Sequence, residues 1–299
     1  MKSSNRLDET ALHVMLLPSV LVLCVFAYLP MLGVLIAFQD YRPILGFGRS
    51  RWVGLDNFKY IFRSPDFYRA LKNTLTIASF KYVLGVLAPL IVALLVNEVR
   101  NNPFKRVFQT LIYLPHFLSW VILAGILIDI LSPVSGAVNM LIKLFGGQPV
   151  FFLADNNWFQ FTLISTHMWK ETGWGTIVFL AALTGIDPSL YEAAVMDGAS
   201  RARQTWHITI PGIATTVILI AALNLSNIMN AGFEQVFNLY SPRVYETGDI
   251  IDTFVYRIGI QQAQFSVATA VGLFKSAIFS ILLLGSYRAA HKFAGYRIF

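Results

Sequence analysis

Residues 70–96 read ALKNTLTIASFKYVLGVLAPLIVALLV, an apolar run long enough for a helix to cross a lipid bilayer. About 20 helical residues span the roughly 30 Å of hydrocarbon in a membrane. In the whole chain of 299 residues, 56% are hydrophobic and 13% are charged. A soluble domain carries about 25% charged residues. This composition indicates an integral membrane protein, and it argues against a disulfide scaffold, a disordered tail protein or a soluble enzyme.

Five further apolar runs have helical length, and the alternating segments of about ten residues that build a membrane barrel are absent from the sequence. The six predicted spans cover residues 13–38, 70–96, 107–131, 158–183, 212–231 and 267–287. The first run is too long for a signal-peptide core and lacks a small-x-small cleavage site, so we expect it to be retained. The predicted fold is an all-α integral membrane protein with six transmembrane helices and a single transmembrane domain over residues 1–299.

The charge pattern predicts orientation rather than nucleic-acid binding. The 23 basic and 16 acidic residues give a net charge of +7, which fits the cytoplasmic ends of spans beside anionic lipid. No nucleic-acid-binding motif competes with that interpretation. The short segment 97–106 carries Arg100, Lys105 and Arg106. Because Lys and Arg are more frequent in the cytoplasmic loops of membrane proteins, we expect this segment and both termini to lie in the cytoplasm.

Catalytic and metal-binding patterns are missing from the sequence. It contains no G-x-x-x-x-G-K-[ST] phosphate loop, no H-E-x-x-H and no G-x-S-x-G. The five histidines lack metal-ligand spacing, and the single Cys24 excludes a disulfide within one chain. Among the predicted spans, the acids are Asp129 and Glu171. We therefore expect no catalytic site, no metal site and no cofactor bound by this chain.

Segment 187–211, between the fourth and fifth spans, predicts a helix-turn-helix. Asp187 and Pro188 are typical of the N-cap and first position of a short helix. Gly198 is typical of the left-handed residue that ends one. A second short helix is expected from about Ser200 to His207, and Pro211 is expected to open the fifth span. From these residues alone, an ordinary amphipathic connector remains open.

The same segment resembles a family motif. Its spacing, Glu192-Ala193-Ala194-x3-Gly198-x9-Ile208-x-Ile210-Pro211, is similar to the E-A-A-x3-G-x9-I-x-L-P loop of binding-protein-dependent ABC transporter permeases, with isoleucine for the usual leucine at Ile210. The stretches WKETGWGTIVFLAAL (169–183), DIIDTFVYRIG (249–259) and FSVATAVGLFK (265–275) resemble the polysaccharide and oligosaccharide importers of that family.

The resemblance implies a half-transporter in the cell inner (plasma) membrane. A second permease subunit would complete the pore, two ATP-binding subunits would bind ATP beneath it, and an external solute-binding protein would deliver a carbohydrate. Segment 187–211 would be the cytoplasmic coupling loop, with Glu192 pairing with a basic group of the ATPase and Gly198 setting the angle between the helices. Ala193 and Ala194 would allow close approach. The loops 132–157 and 238–266 would contact the binding protein.

Polar side chains in the fourth and fifth spans predict a substrate path. Asn224, Asn227 and Asn230 recur every three residues and share one arc of an unbroken helix. His167 and Glu171 share a face of the fourth span at a similar depth. Because amides are costly against lipid, both faces should point into the bundle. They serve either a sugar or hydrogen bonds between helices, and the resemblance favours a sugar.

The sugar itself stays open. Trp120, Trp169 and Trp174 can stack on pyranose rings, although aromatics are routine in membrane proteins. Lys81 and Lys170 suit a sugar with carboxylates, such as an alginate- or pectin-derived oligouronate, and they also suit a structural role. Two alternatives to the importer are a self-sufficient secondary carrier and a membrane enzyme acting on a glycan or lipid. The first would call for inverted-repeat spans and several intramembrane charges, and the second for an acid–base constellation that the sequence lacks.

Overall fold

The computed structural model describes residues 4–225 and 228–294, and these residues form helices joined by short connections with one two-stranded hairpin. The α-helices, in chain order, are α1 (Ser4–Leu23), α2 (Leu29–Met31), α3 (Gly46–Arg49), α4 (Asp56–Ile61), α5 (Pro65–Glu98), α6 (Asn102–Tyr113), α7 (Trp120–Ile130), α8 (Ala137–Leu144), α9 (Asn156–Leu183), α10 (Pro188–Met196), α11 (Arg201–Gln204), α12 (Ile210–Leu225), α13 (Phe233–Leu239), α14 (Tyr245–Gly248), α15 (Ile251–Tyr256) and α16 (Phe265–Ala294). The strands are β1 (Gln39–Asp40) and β2 (Arg51–Trp52).

Short stretches of π or 3-10 helix extend several of these helices. The π turns are Cys24–Tyr28, Thr205–Thr209 and Arg257–Gln261, and the 3-10 stretches are Leu32–Phe38, Leu114–Phe117 and Pro242–Val244. Two of the π turns end two residues before a proline, at Pro30 and at Pro211. A proline ring clashes with the carbonyl four residues back, and a π turn lets the helix continue past it by changing the hydrogen-bond register.

Four helices among the described residues are long and apolar enough to cross a membrane: Ala11–Phe38, Pro65–Glu98, Arg201–Leu225 and Phe265–Gly285. Two bent pairs pass the same test together, Asn102–Phe117 with Trp120–Ile130 and Asn156–Leu183 with Pro188–Met196. The all-helical membrane fold predicted from composition is therefore confirmed. The count lies between four and six, according to whether each bent pair is one span.

The third predicted span, 107–131, is not one straight helix. It breaks after Phe117, and the second arm is bent by 107° relative to the first. Pro115 lies in the 3-10 turn that ends the first arm, and Leu118 and Ser119 are extended. The hydroxyl of Ser119 then caps the second arm by accepting a hydrogen bond from the backbone N–H of Ile122 at 3.3 Å. Hydrophobicity alone did not reveal this break, because both arms are apolar.

The helix that contains the fifth predicted span, 212–231, has different bounds from that span. It begins at Arg201 and runs through Pro211 without a break, so Pro211 does not begin the helix and the second short helix is not separate from it. The π turn explains the continuity, since the backbone N–H of Ile210 donates to the carbonyl of Thr205, five residues earlier. The helix extends to Leu225, and Asn230 and Ala231 lie in irregular backbone.

The chain groups into two compact units. The first comprises Met1–Ser64 and Val255–Phe274, and the second comprises Pro65–Phe254 and Lys275–Phe299. In the first unit, β1 and β2 pair antiparallel, with Gln39 opposite Trp52. The amide of Asn57 donates to the carbonyls of Ala37 and Gln39, at 2.9 and 3.0 Å, and so joins α4 to the hairpin.

The core of the second unit forms where α5 packs along α9. Phe159, Leu163 and Ile77 are fully buried there. Two glycines allow the helices to approach closely, as small residues do in membrane bundles. A Cβ on Gly173 would collide with the backbone carbonyl of Ile112 in α6, and a Cβ on Gly175 would lie 2.8 Å from the ring of Pro89.

Part of the predicted outer loop 238–266 belongs to this core. Val244, Ile250 and Ile251 are fully buried within the second unit, whereas Arg243 and Glu246 remain exposed. Asn73 of α5 holds the segment in place because its amide donates to the carbonyls of Glu246 and Asp249 at 3.0 Å each.

Candidate functional site

Segment 187–211 folds as a helical elbow, by which we mean α10, the turn at Gly198 and the start of α11. The carboxylate of Asp187 accepts a hydrogen bond from the backbone N–H of Ser189 at 2.9 Å, so it caps α10 as predicted. The same hydrogen bond from the Ser189 backbone, followed by one from its side chain, lowers the pKa of the Asp187 carboxyl below its usual value.

Gly198 makes the turn of the elbow. Its φ of +72° lies in the left-handed region that glycine adopts without strain, and no atom comes within 4 Å of a Cβ built on it. The backbone N–H of Ala199 donates to the carbonyl of Ala194 at 2.8 Å, and that of Gly198 donates to Val195 at 3.0 Å. These bonds satisfy the last carbonyls of α10, as in a glycine-terminated helix. The predicted turn at Gly198 is therefore present.

Two contacts anchor the elbow to the rest of the second unit. The hydroxyls of Tyr191 in α10 and Thr209 in the π turn lie 2.9 Å apart. Arg201 forms an ion pair of 2.5 Å with Glu98, at the end of α5. The elbow is thus held at the same end of the unit as the basic segment that follows α5.

The rest of the elbow is exposed. Glu192 is exposed and has no ion pair among the described residues, and Ala193 beside it is also exposed. Three apolar residues near Glu192 in the sequence are exposed as well: Leu190 is 51% exposed, Val195 61% and Met196 86%. An exposed apolar patch around an unpaired carboxylate is typical of a protein-docking surface.

A cavity of about 500 Å³ lies within the second unit, between α5, α9, α12 and the chain that follows α12. Its polar lining comprises Lys81, Tyr82, His167, Glu171, Trp174, Asn224 and Asn230. Four of the five residues predicted for a substrate path thus line one cavity, namely Asn224, Asn230, His167 and Glu171. Asn227, the fifth, lies outside the described residues.

Asn230 lines this cavity from a backbone position that the sequence did not predict. The prediction placed it on the same helical arc as Asn224, but the described helix extends only to Leu225. Asn230 instead lies in the irregular segment before Gly232, where its side-chain oxygen accepts a hydrogen bond from the Gly232 backbone N–H at 3.1 Å. The helical-arc argument is therefore wrong for Asn230, although the residue lies at the cavity.

A cluster of three polar side chains, His116, Lys170 and Glu171, joins the broken helix to α9. Nδ1 of His116 lies 2.8 Å from Glu171, and the ammonium of Lys170 lies 3.2 Å from the same carboxylate. Lys170 also donates to the carbonyl of His116 at 2.7 Å. The ring of Trp174 stacks on His116, with centroids 4.6 Å apart. These contacts hold the 3-10 turn against the cavity wall. The role of His116 was not predicted, because no pattern in the sequence links it to Glu171.

Lys81 is held differently. Its ammonium donates to the carbonyl of Ala231 and to the side-chain oxygen of Gln235, each at 2.6 Å. The sequence predicted no role for Gln235, which lies between the predicted fifth span and the loop 238–266, yet this residue is fully buried. Within the described residues, no group of three or more His, Cys, Asp or Glu side chains is placed to hold a metal ion.

The chain matches known proteins over most of its length. Residues 85–292 match the family "Binding-protein-dependent transport system inner membrane component". Protein LplB of Bacillus subtilis (strain 168) is 49% identical over 282 residues, covering 94% of this chain and 89% of LplB. The polygalacturonan/rhamnogalacturonan transport system permease protein YteP of the same organism is 44% identical over 287 residues, covering 96% of this chain and 89% of YteP.

A solved structure agrees with this. A bacterial ABC transporter involved in the import of the acidic polysaccharide alginate has a chain that is 38% identical to this one, with a TM-score of 0.90. The match covers 97% of this chain and 98% of that one. The protein therefore belongs to the family of binding-protein-dependent transport system inner membrane components. It is a membrane permease of an ABC importer and not an enzyme, as the motif around Glu192 indicated.

Proposed function

We propose that this permease moves an oligosaccharide from an external solute-binding protein into the cytoplasm. The names of its relatives support this substrate class, since one is a polygalacturonan/rhamnogalacturonan permease and another imports alginate. The observation that carries the proposal is the cavity of about 500 Å³, which brings amides, an imidazole and an indole together inside an apolar helical unit.

The cavity has the chemistry that a saccharide needs. The side chains of Asn224 and Asn230 offer both donors and acceptors to sugar hydroxyls, and His167 adds a ring nitrogen. Trp174 lines the same wall and can present an apolar face to a pyranose ring. Because the polar groups are few and convergent, they fix the orientation of a ligand without holding it too tightly to leave.

The elbow is the proposed link to ATP hydrolysis. This chain binds no nucleotide in our proposal, and two partner subunits bind and hydrolyse ATP. Glu192 meets a basic group of an ATP-binding subunit, while Leu190 and Met196 enter an apolar cleft of it. Since the helix from Arg201 to Leu225 continues without a break from the elbow to the cavity wall, movement of the elbow is transmitted to Asn224 as a rigid body.

The remaining parts of the transporter follow from this arrangement. A second, sister permease completes the pore, and the exposed parts of 132–157 and 238–266 receive the binding protein. Both termini lie in the cytoplasm. Support comes from the Arg201–Glu98 ion pair, which holds the elbow at the same end of the unit as Arg100, Lys105 and Arg106. Positive charge of this kind marks the cytoplasmic side.

A substrate screen tests the proposal. The complete complex is reconstituted with its binding protein, and ATP hydrolysis is measured with neutral and acidic oligosaccharides, amino acids and inorganic ions. We expect oligosaccharides to stimulate hydrolysis and the other solutes not to. Stimulation by amino acids or ions, with none by any oligosaccharide, contradicts the proposed substrate class.

A further inference from the structure

We propose that Lys81 is the anion-binding group of the cavity, and that it binds a carboxylate of an oligouronate during import. This inference rests on the proposed function, and it narrows the substrate from oligosaccharides in general to those that carry ionised carboxylates. From the sequence, Lys81 and Lys170 have the same two possible roles. In the structure, the two lysines have different partners.

Lys81 is a buried lysine at the cavity wall. Its residue is 6% exposed, and it lines the cavity together with His167 and Asn230. An ammonium has three N–H donors. Two of them are used, by the carbonyl of Ala231 and by the side-chain oxygen of Gln235. The third has no acceptor among the described residues, so it is available to a ligand in the cavity.

The orientation of Gln235 shows that its oxygen is committed to Lys81. The side-chain nitrogen of Gln235 donates to the carbonyl of Leu163 and to the hydroxyl of Thr166, at 2.8 Å each. Exchanging the oxygen and nitrogen would break these two bonds and turn an NH₂ group towards an ammonium. The two acceptors of Lys81 are therefore both neutral, and both are fixed by neighbouring structure.

Charge balance distinguishes Lys81 from the other buried lysine. Lys170 is paired with Glu171 at 3.2 Å, and His116 occupies the other oxygen of that carboxylate. Lys81 forms no direct ion pair with a carboxylate in the part of the chain that is described. The nearest influence of opposite charge is Glu171, which lines the same cavity but is already in contact with Lys170 and His116. A buried charge is costly unless it is paired. A substrate carboxylate would supply a counter-ion in direct contact and would form a charge-assisted hydrogen bond, which is stronger than a neutral one.

The backbone at Gly232 passes close to the Lys81 ammonium. Gly232 follows Ala231 with a φ of +90°, and a Cβ there would lie 3.1 Å from the Lys81 ammonium. Glycine at 232 therefore leaves the ammonium open on one side. The two acceptors of Lys81 come from the segment after α12 and from α13, and His167 and Glu171 of α9 line the same cavity. The site therefore depends both on α9 and on the irregular backbone that carries Asn230.

The test compares an acidic saccharide with its neutral counterpart. The complete complex with its binding protein is reconstituted in vesicles, and uptake of an oligogalacturonate and of its carboxyl-reduced form is measured in the wild type and in Lys81→Gln. Hydrogen bonds to charged groups contribute more than neutral ones, so we expect Lys81→Gln to lower oligogalacturonate uptake about 10- to 100-fold. Uptake of the neutral form should fall less, by about 5-fold, because a neutral hydrogen bond contributes less than one to a charged group.

Control variants make the result specific. Lys72→Gln removes the same charge from an exposed position on the same helix, and it should leave both uptakes unchanged. If Lys81→Gln does not assemble, Gln235→Glu keeps the lysine and gives it a counter-ion, and oligogalacturonate uptake should then fall about 10-fold or more. If the wild type transports no neutral form, Lys81→Arg decides, because it keeps the charge and should transport more oligogalacturonate than Lys81→Gln.

Three results overturn the inference while leaving the proposed function intact. They are equal loss of acidic and neutral uptake in Lys81→Gln, unchanged oligogalacturonate uptake in Lys81→Gln, and unchanged oligogalacturonate uptake in Gln235→Glu. Failure of the wild-type complex to transport any oligosaccharide is a different result, and it contradicts the proposed function itself.

Discussion

The turn at Gly198 offers a graded test of the elbow. Gly198 has a φ of +72°, and no atom lies within 4 Å of a Cβ built there. The Cβ of Gly198→Val therefore meets no steric neighbour, and we expect the effect of this substitution to come from the backbone conformation. A residue with a Cβ in the left-handed region costs roughly 1–2 kcal/mol, and valine, which is β-branched, lies at the upper end. That cost weakens the native elbow relative to relaxed conformations by a factor of about 5 to 30.

The assay measures coupling rather than activity alone. Saccharide uptake and ATP hydrolysis are followed together in reconstituted vesicles, and their ratio is compared with that of the wild type. We expect Gly198→Val to lower the number of saccharides taken up for each ATP hydrolysed, while the protein still inserts and assembles. Gly198→Asn should retain more coupling, because asparagine tolerates the left-handed region. Gly198→Pro should lose the most, since proline fixes φ near −65°.

A matched control separates coupling from backbone strain. Gly54 has a φ of +59° and an equally open surrounding, but it lies in the other compact unit. Gly54→Val carries the same kind of strain and should leave the coupling ratio unchanged. Wild-type coupling in Gly198→Val, or an equal loss in Gly54→Val, would show that the elbow does not act as we reason.

Three further predictions concern other parts of the protein. Glu192→Lys reverses an exposed charge, and co-purification should show a complex that still forms while uptake per ATP falls; normal coupling would refute the docking role. Asn230→Ala should abolish uptake or change which saccharides are accepted, with assembly and basal ATP hydrolysis retained; loss of assembly with unaltered selectivity would instead favour a structural role. Gly173→Ala places a methyl group against the carbonyl of Ile112, so overpacking should lower stability by about 1–3 kcal/mol, and an unchanged melting temperature of the purified complex would contradict the packing described here.

Much of the fold follows from simple sequence features because membranes impose simple rules. Apolar runs of helical length placed α5, α9 and α16 close to their observed bounds, since lipid leaves helices as the main way to satisfy a buried backbone. The N-cap at Asp187 and the turn at Gly198 were also predicted, because capping and positive φ depend on local chemistry.

Features that depend on distant contacts or on exact hydrogen-bond register were not predicted. The break at Leu118 and the continuous helix through Pro211 are opposite outcomes at two prolines, and only the local turn type distinguishes them. The sequence predicted four residues that line the cavity, but it did not predict how the chain brings them together. Asn230 lies in irregular backbone, and the buried Gln235 lies in a segment for which the sequence made no prediction. Neither position follows from helical periodicity.

Uptake with single components omitted tests the importer most directly. Vesicles are prepared with this chain, a sister permease, two ATP-binding subunits and the binding protein, loaded with ATP on the side of the elbow, and supplied with labelled oligogalacturonate outside. We predict uptake against a gradient that disappears when ATP, the ATP-binding subunits or the binding protein is left out. Uptake by this chain alone, without ATP or partners, would identify a self-sufficient carrier and contradict the half-transporter described here.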